Sequence, residues 1–221
     1  MATSGDSGIP SLMIVLGLDT CLSACSVAVL DGARVLAHAS EVMARGHQER
    51  LAPMAQAVMA KAGLPFSALQ RIAVTVGPGS FTGLRVGVAF AKGLAAALDL
   101  PAVGVGALEA LAAEAQGLVF AVVDARREQV YLQAFEDGQA LMAPDALRIE
   151  TAAARLAEIS AGRPLTLVGS GAALLSPMVP AARIVAAEGA DAVQVARLGA
   201  GRAPAPLRPL YLRAPDAKLP A

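Results

Sequence analysis

Two aspartates, Asp19 and Asp124, each close a short apolar run, and each is followed by a turn and a second apolar run. A carboxylate at the end of a buried strand can hold Mg²⁺ through water while the neighbouring turn binds phosphate. Such a turn needs Gly, Ser and Thr. Thr20-Cys21-Leu22-Ser23 is half suitable, whereas Ala125-Arg126-Arg127 has no glycine. The second phosphate turn therefore reads as lost, and Asp19 is expected to make structural hydrogen bonds rather than bind magnesium. The chain has two histidines, His38 and His47, and no His-x-x-x-His or His-Glu-x-x-His pair. That spacing argues against a histidine-bound catalytic metal. His47 reads as part of a solvated first helical turn, ahead of an interface role. Cys21 and Cys25 have no cationic sequence neighbour to lower a thiol pKa, so they read as buried thiols.

The third candidate is Val74-Thr75-Val76-Gly77-Pro78-Gly79-Ser80-Phe81-Thr82-Gly83-Leu84-Arg85. A β-branched run stops at Gly-Pro-Gly, and Ser80 or Thr82 can cap a helix whose first amides would receive an anion. Gly83-Leu84-Arg85 is not the Gly-Lys-Ser/Thr of a phosphate-binding P-loop. Ser80 directly follows Gly79, which is the wrong frame for a Gly-x-Ser-x-Gly nucleophile elbow. The Gly77-x-Gly79 spacing is near a dinucleotide fingerprint, but the following strand, Ala102 to Val105, ends without an acid. A ligand turn and a tight turn for close helix–sheet packing both remain open.

The elements that must position these residues follow from periodicity. Met13 to Leu18, Ala24 to Leu30 and Arg34 to Ala39 read as strands, with Asp31-Gly32 as a hairpin turn. Gly46 to Ala62 reads as a helix with Leu51, Met54, Ala55, Val58, Met59 and Ala62 on one face. A strand at 72–76, a helix from Ser80 to Leu98, the strand 102–105 and a helix from Ala107 to Ala115 come next. The order βββαβαβα is that of a ribonuclease-H-like domain. Leu118 to Val123 and Gln129 to Phe135 repeat the opening pattern, after which the repeat decays. Thr151 to Ser160 and Asp191 to Leu198 read as helices, and Leu165 to Val168 as a strand before Gly169-Ser170-Gly171. The expected division is a disordered extension at 1–12, a first lobe at 13–107 and a second, degenerate lobe with a C-terminal tail at 108–221.

The chain has 221 residues, with 18 basic residues balancing 18 acidic ones. That balance argues against a broad basic face for nucleic acid. The hydrophobic fraction of 56%, with only 16% charge, is high for a solitary domain. Much of the apolar content is alanine, so GC-rich coding explains it plainly and an extra buried interface more sharply. No apolar run is expected to span a membrane, and no signal peptide is expected at the start, so a cytoplasmic location is anticipated. The helix from Ser80 carries two apolar stripes, one for its own sheet and one that needs another layer or another chain.

Several segments together resemble the bacterial TsaB (YeaZ) family of tRNA threonylcarbamoyladenosine biosynthesis proteins. They are Leu18-Asp19-Thr20, Gly46-His47-Gln48-Glu49-Arg50-Leu51-Ala52-Pro53, Val76 to Arg85, Ala91-Lys92-Gly93-Leu94, Asp124 to Tyr131 and Pro215-Asp216-Ala217-Lys218. The match is collinear from about Met13 to Lys218, and the block Gly77, Pro78, Gly79, Ser80, Phe81, Thr82, Gly83, Leu84, Arg85 is highly specific to that family. The resemblance implies an α/β, two-lobed, actin-like (ribonuclease-H-like) ASKHA fold. It also implies a part in making N6-threonylcarbamoyladenosine at position 37 of tRNAs that read codons beginning with A.

In that family the subunit is a non-catalytic scaffold for TsaD, with which it heterodimerises, and the ATPase TsaE joins the assembly. No cofactor of its own is implied, ATP and metal belonging to the partner subunits. Contact with tRNA is implied only through the complex, and a homodimer is plausible when the chain is alone. Carried onto this chain, the partner surface falls on His47, Leu51, Met54 and Val58 of the first helix. On the second helix it falls on Gly83, Val86, Phe90 and Gly93. Val58→Glu is accordingly expected to spare the fold and abolish TsaD binding. Asp19, Gly77, Pro78, Gly79, Ser80, Thr82, Arg85 and Asp124 would be motif residues with structural roles. The alternatives are a stand-alone ASKHA-type small-molecule kinase and a metalloprotease-like protein related to peptidase M22.

Overall fold

The computed structural model describes residues 13–113 and 115–213. The 1–12 extension and the Pro215-Asp216-Ala217-Lys218 segment lie outside the described residues. Strands β1 (Ile14–Asp19), β2 (Ala24–Asp31) and β3 (Arg34–Val42) form an antiparallel meander. Helix α1 (His47–Lys61) leads to β4 (Arg71–Thr75), α2 (Phe81–Leu98) and β5 (Ala102–Val105). The sheet order β3-β2-β1-β4-β5, with β1, β4 and β5 parallel, is the ribonuclease-H-like arrangement.

The second sheet repeats it. After α3 (Ala107–Ala112), β6 (Leu118–Arg126) pairs antiparallel with β7 (Gln129–Glu136). β7 in turn carries the short β8 (Gln139–Ala140) and β9 (Asp145–Arg148) on its outer side. Helix α4 (Ile149–Ser160), β10 (Thr166–Val168), α5 (Ala172–Leu175) and β11 (Arg183–Val185) follow, and β10 and β11 run parallel to β6. The order β11-β10-β6-β7-β8 mirrors the first sheet. The repeat therefore reaches further than the sequence suggests. Its later strands are three residues long, too short to show a period. Two such sheets give the actin-like, two-lobed fold.

Strand alternation places Leu16 and Leu18 of β1 in the core cluster beneath α1 and α2, and Val15 in a second cluster on the opposite face. The element that covers that opposite face is helix α6 (Ala192–Ala200), which packs on β1, β2 and β4. The C-terminal part of the proposed second lobe thus belongs physically to the first. Its approach is close. A Cβ on Gly17 would lie 2.1 Å from the Ala192 carbonyl oxygen, and one on Gly199 would lie 2.3 Å from Ala73 Cβ. The Arg71 guanidinium donates to the carbonyls of Gly199, Ala200 and Arg202 at 3.0, 2.8 and 2.6 Å, satisfying acceptors a helix C-terminus leaves open.

By length and composition alone α2 is long and apolar enough to cross a membrane, with mean hydropathy 1.3 over 18 residues, although Arg85 and Lys92 interrupt its apolar run. The reason is that its five alanines, three leucines, two valines and two phenylalanines outweigh its two cations in the average. In this fold its Leu84, Gly87, Val88 and Ala91 are buried against the sheet.

Candidate functional site: strand-end acids and the helix pair above them

Asp19 is completely buried at the end of β1, and both of its carboxylate oxygens are occupied by protein donors. Oδ1 accepts from the Cys21 amide at 3.0 Å and the Thr75 hydroxyl at 2.6 Å, and Oδ2 accepts from the Ala190 amide at 3.1 Å. Burial pushes its pKa up to about 6, against these three hydrogen bonds and the nearby His47, which act to lower it. The carboxylate pins the start of the β1–β2 turn to β4 and to the segment before α6.

The glycine block closes over that turn. A Cβ on Gly79 would sit 2.2 Å from the Cys21 carbonyl oxygen, and one on Gly83 2.0 Å from that of Thr20. The Thr20 hydroxyl donates to the Gly83 carbonyl at 2.7 Å, and the Ser80 amide donates to the Cys21 carbonyl at 2.6 Å. Ser80 caps α2 by accepting from the Gly83 amide at 3.3 Å. Of the two readings left open above, the geometry is that of close packing. The Gly77–Pro78 peptide is cis, Pro78 is buried, and Gly77 adopts φ 103° against the Leu210 carbonyl.

Asp124 makes the same local bond, its Oδ1 accepting from the Arg126 amide at 2.7 Å, but it lies at the rim of a cleft between the lobes. Its amide donates to Ser170 Oγ at 3.3 Å and its second oxygen pairs with the exposed Arg126 guanidinium at 3.2 Å. Arg126, Arg127 and Glu128 all have positive φ, a left-handed turn with no glycine. The cleft measures about 430 Å³, with Ser23, Ser170 and Glu188 also in its wall. Sequence reasoning saw Gly169-Ser170-Gly171 only as a turn. A Cβ on Gly171 would meet the Asp124 amide at 3.0 Å, so the two turns are in direct contact.

Burial pushes both thiols up, with the Asp19 charge a smaller contribution in the same direction, and Cys25 reaches about 11. Burial thus disfavours the thiolate at both cysteines. His38 Nε2 lies 3.2 Å from Ser26 Oγ and 3.3 Å from Asp191 Oδ1. Both contacts use one nitrogen, so this is not a relay through the ring. Among the described residues no three His, Cys, Asp or Glu side chains come close enough to hold a metal ion.

The helix pair corrects the expected partner surface. Leu51, Met54 and Val58 of α1 are 1, 3 and 2% exposed and belong to the core cluster. The one apolar stripe of an amphipathic helix is the stripe its own sheet claims. Val58→Glu would bury a charge and lose the fold rather than spare it. His47 is 7% exposed and buried at the start of α1, not solvated, and its Nε2 has no partner. Gly83 is buried under the β1–β2 turn and offers no surface. Val86 and Phe90 are half-buried, and Gly93 is exposed with open space around it. The solvent side of the pair is Gln48, Pro53, Gln56, Ala57 and Ala60 of α1 with Thr82, Arg85, Ala89, Lys92, Gly93, Ala96 and Ala97 of α2. A groove of about 430 Å³ runs between the two helix starts, lined by Gly46, His47, Ser80, Thr82 and Val86.

The C-terminal segment reaches this end of α2. Leu207 is buried, and the Leu210 amide donates to the Val76 carbonyl at 2.7 Å. Tyr211 packs on Phe81 with ring centroids 5.0 Å apart. Arg85 lies 3.8 Å above the Phe81 ring, and its Nε donates to the Tyr211 hydroxyl at 3.3 Å. Arg213 Nη1 donates to the Ala125 carbonyl, tying the segment to the second lobe. The sequence showed the tail only as extended, because a single tyrosine carries no period.

Comparison with known proteins follows the same lines. The family model described as "TsaD: tRNA N6-adenosine threonylcarbamoyltransferase" matches residues 38–161. An uncharacterized protein of Mycobacterium tuberculosis is 37% identical over 209 residues, covering 92% of this chain and 93% of that protein. The Escherichia coli tRNA threonylcarbamoyladenosine biosynthesis protein TsaB is 39% identical over 124 residues, about half of each chain (54% and 53%). The solved structure of YeaZ from Pseudomonas aeruginosa superposes with TM-score 0.77 at 30% identity, covering 90% of this chain and all of that one. With that structure matched along its full length and the glycine block in place, the chain belongs to the TsaB (YeaZ) family.

Proposed function

We infer that this chain is a subunit of the machinery that makes threonylcarbamoyladenosine on tRNA, and that it supports a TsaD-family partner without carrying the reaction itself. The observation that carries this reading is Asp19. In two-lobed nucleotide enzymes an acid at this strand end must keep oxygens free for a hydrated magnesium ion. Here both oxygens are engaged by Cys21, Thr75 and Ala190, and the turn beside it is closed by Gly79 and Gly83. What the first lobe offers instead is the solvent side of α1 and α2, with five alanines and Gly93, which suits helix–helix contact at close range. The subunit would work in the cytoplasm, with TsaE joining the pair and with ATP and metal held by the partners.

The test is reconstitution. TsaD-family and TsaE-family proteins of the same organism are incubated with unmodified tRNA, ATP and the threonylcarbamoyl donor, with and without this chain. Modified nucleoside is then measured by mass spectrometry. Modification that depends on this chain is the expected result. Equal modification without it would overturn the reading, as would turnover by the chain alone.

A further inference from the structure

In the second sheet β10 and β11 run parallel, with Thr166 opposite Arg183 and Val168 opposite Val185. Register partners on adjacent strands share a face, and so do residues two apart along one strand. These four side chains therefore form one tile, on the side of the sheet away from α4 and α5. The tile is the floor of a cavity of about 320 Å³. One wall is α3, through Ala110 and Leu111, and the other is the 186–191 segment, ending at Asp191. The cavity exists because α3 is only six residues long and packs on β6 and β7. In the first lobe the nine-residue α6 reaches across β1, β2, β4 and β5.

The polar groups around this cavity are not used by the protein. Thr166 is 9% exposed, and among the described residues its hydroxyl makes no hydrogen bond. A buried hydroxyl left without a partner is costly, so its presence on an otherwise valine floor points to a ligand. Beside it Arg183 makes no side-chain hydrogen bond or ion pair among the described residues. Across the cavity, Asp191 Oδ1 accepts from the Val193 amide at 2.8 Å and lies 3.3 Å from the His38 ring nitrogen. Its Oδ2 takes no protein donor among the described residues. One cation, one carboxylate and one hydroxyl thus line an apolar space large enough for a small molecule.

We propose that this cavity binds a small zwitterion, an amino acid with an apolar body. The guanidinium of Arg183 and the hydroxyl of Thr166 receive its carboxylate, and Asp191 receives its ammonium. Val168, Val185 and Leu111 cover the carbon chain. A simple carboxylate would face Asp191 unpaired, and a simple amine would face Arg183, so carrying both charges is what the site selects. The polypeptide crosses between the lobes twice, and both crossings are walls of this cavity. Helix α3 joins β5 to β6, and the 186–191 segment joins β11 to α6. The second wall is also tied to the buried acid of the first lobe, through the Ala190 amide and Asp19. An occupant therefore braces the junction of the lobes. This site lies apart from the α1–α2 surface and goes beyond the function inferred above.

The test is titration calorimetry of the isolated full chain with L-leucine, 4-aminobutyrate and 6-aminohexanoate, whose two charges stand progressively further apart. At least one is expected to bind and to raise the unfolding temperature. Binding by none of them up to about 10 mM would overturn the proposal and leave the tRNA-modification reading untouched. The amine and the carboxylate that each lack one charge of the binder are expected to be at least about tenfold weaker. Equal binding by either would overturn the recognition of a zwitterion. Arg183→Ala, on an exposed edge, is expected to weaken binding at least about tenfold, and undiminished binding would overturn the assignment of the site. Thr166→Val keeps the shape and loses only the hydroxyl. It is expected to weaken binding about fivefold without lowering the urea midpoint of the unliganded chain. A lowered midpoint with unchanged binding would make Thr166 a structural residue and overturn its role here.

Discussion

The two strand-end aspartates share a motif and differ in what lies over it. Each accepts a hydrogen bond from the amide two residues on, at 3.0 Å for Asp19 and 2.7 Å for Asp124. Over Asp19 the chain brings an 18-residue helix, capped by Ser80 and seated through Gly79 and Gly83, and from the other side the segment before α6. Over Asp124 the corresponding helix, α5, is four residues long, and the turn stays open, left-handed and charged. The first acid has become a buried fastening and the second a solvated rim. An acid at a strand end has its role set by the element that covers it, not by its own turn.

The contrast breaks most readily at the glycines. Gly83→Ala drives a methyl group into the Thr20 carbonyl, where 2.0 Å is available, and is expected to cost about 3 kcal/mol or more. Gly171→Ala in the second lobe meets its neighbours at 2.9–3.0 Å and is expected to cost nearer 1–2 kcal/mol. Urea midpoints measure both, and equal losses would erase the distinction between the lobes. Next in size is removal of the acids. Asp19→Ala orphans the amides of Cys21 and Ala190 and the Thr75 hydroxyl, for a loss on the order of 2–3 kcal/mol. Asp124→Ala removes an exposed pair and should stay within about 1 kcal/mol.

The comparison sharpens with pH. The Asp19 carboxyl binds its proton more tightly folded than unfolded, about 6 against 3.8. Its contribution to stability is therefore greatest below the unfolded value and is lost as pH rises through about 6. Relative to Asp19→Asn, which cannot titrate, the native chain should lose about 2 kcal/mol between pH 4.5 and 7.5. The cap is a small effect of similar size to loss of Asp124: Ser80→Ala should cost about 1 kcal/mol, read by thermal unfolding.

Much of this was legible in the sequence because it is local. The α1 and α2 boundaries, the Ser80 cap and the strand at 102–105 follow from apolar periodicity and from turn residues. The partner stripe on α1 was misread because periodicity finds an apolar face without saying what covers it. Leu51, Met54 and Val58 were the face the sheet had already taken. His47 was misread because a first-turn position says nothing of what packs over it; it follows Gly46 at φ 88° and is buried. The second-lobe topology was hidden because β8, β10 and β11 are two or three residues long. The α6 return and the Tyr211–Arg85 contact join residues more than a hundred positions apart, beyond any local signal.

That return also dictates an order of events during synthesis. The back of the first sheet is lined by Val15, Ala28 and Ala73, and what shields it is Val195 and Ala196 of α6, made long after β5. A nascent chain emerging from the ribosome with β1 to β5 complete still presents that surface bare. The N-terminal half therefore stays unfinished and adhesive until α6 has been made.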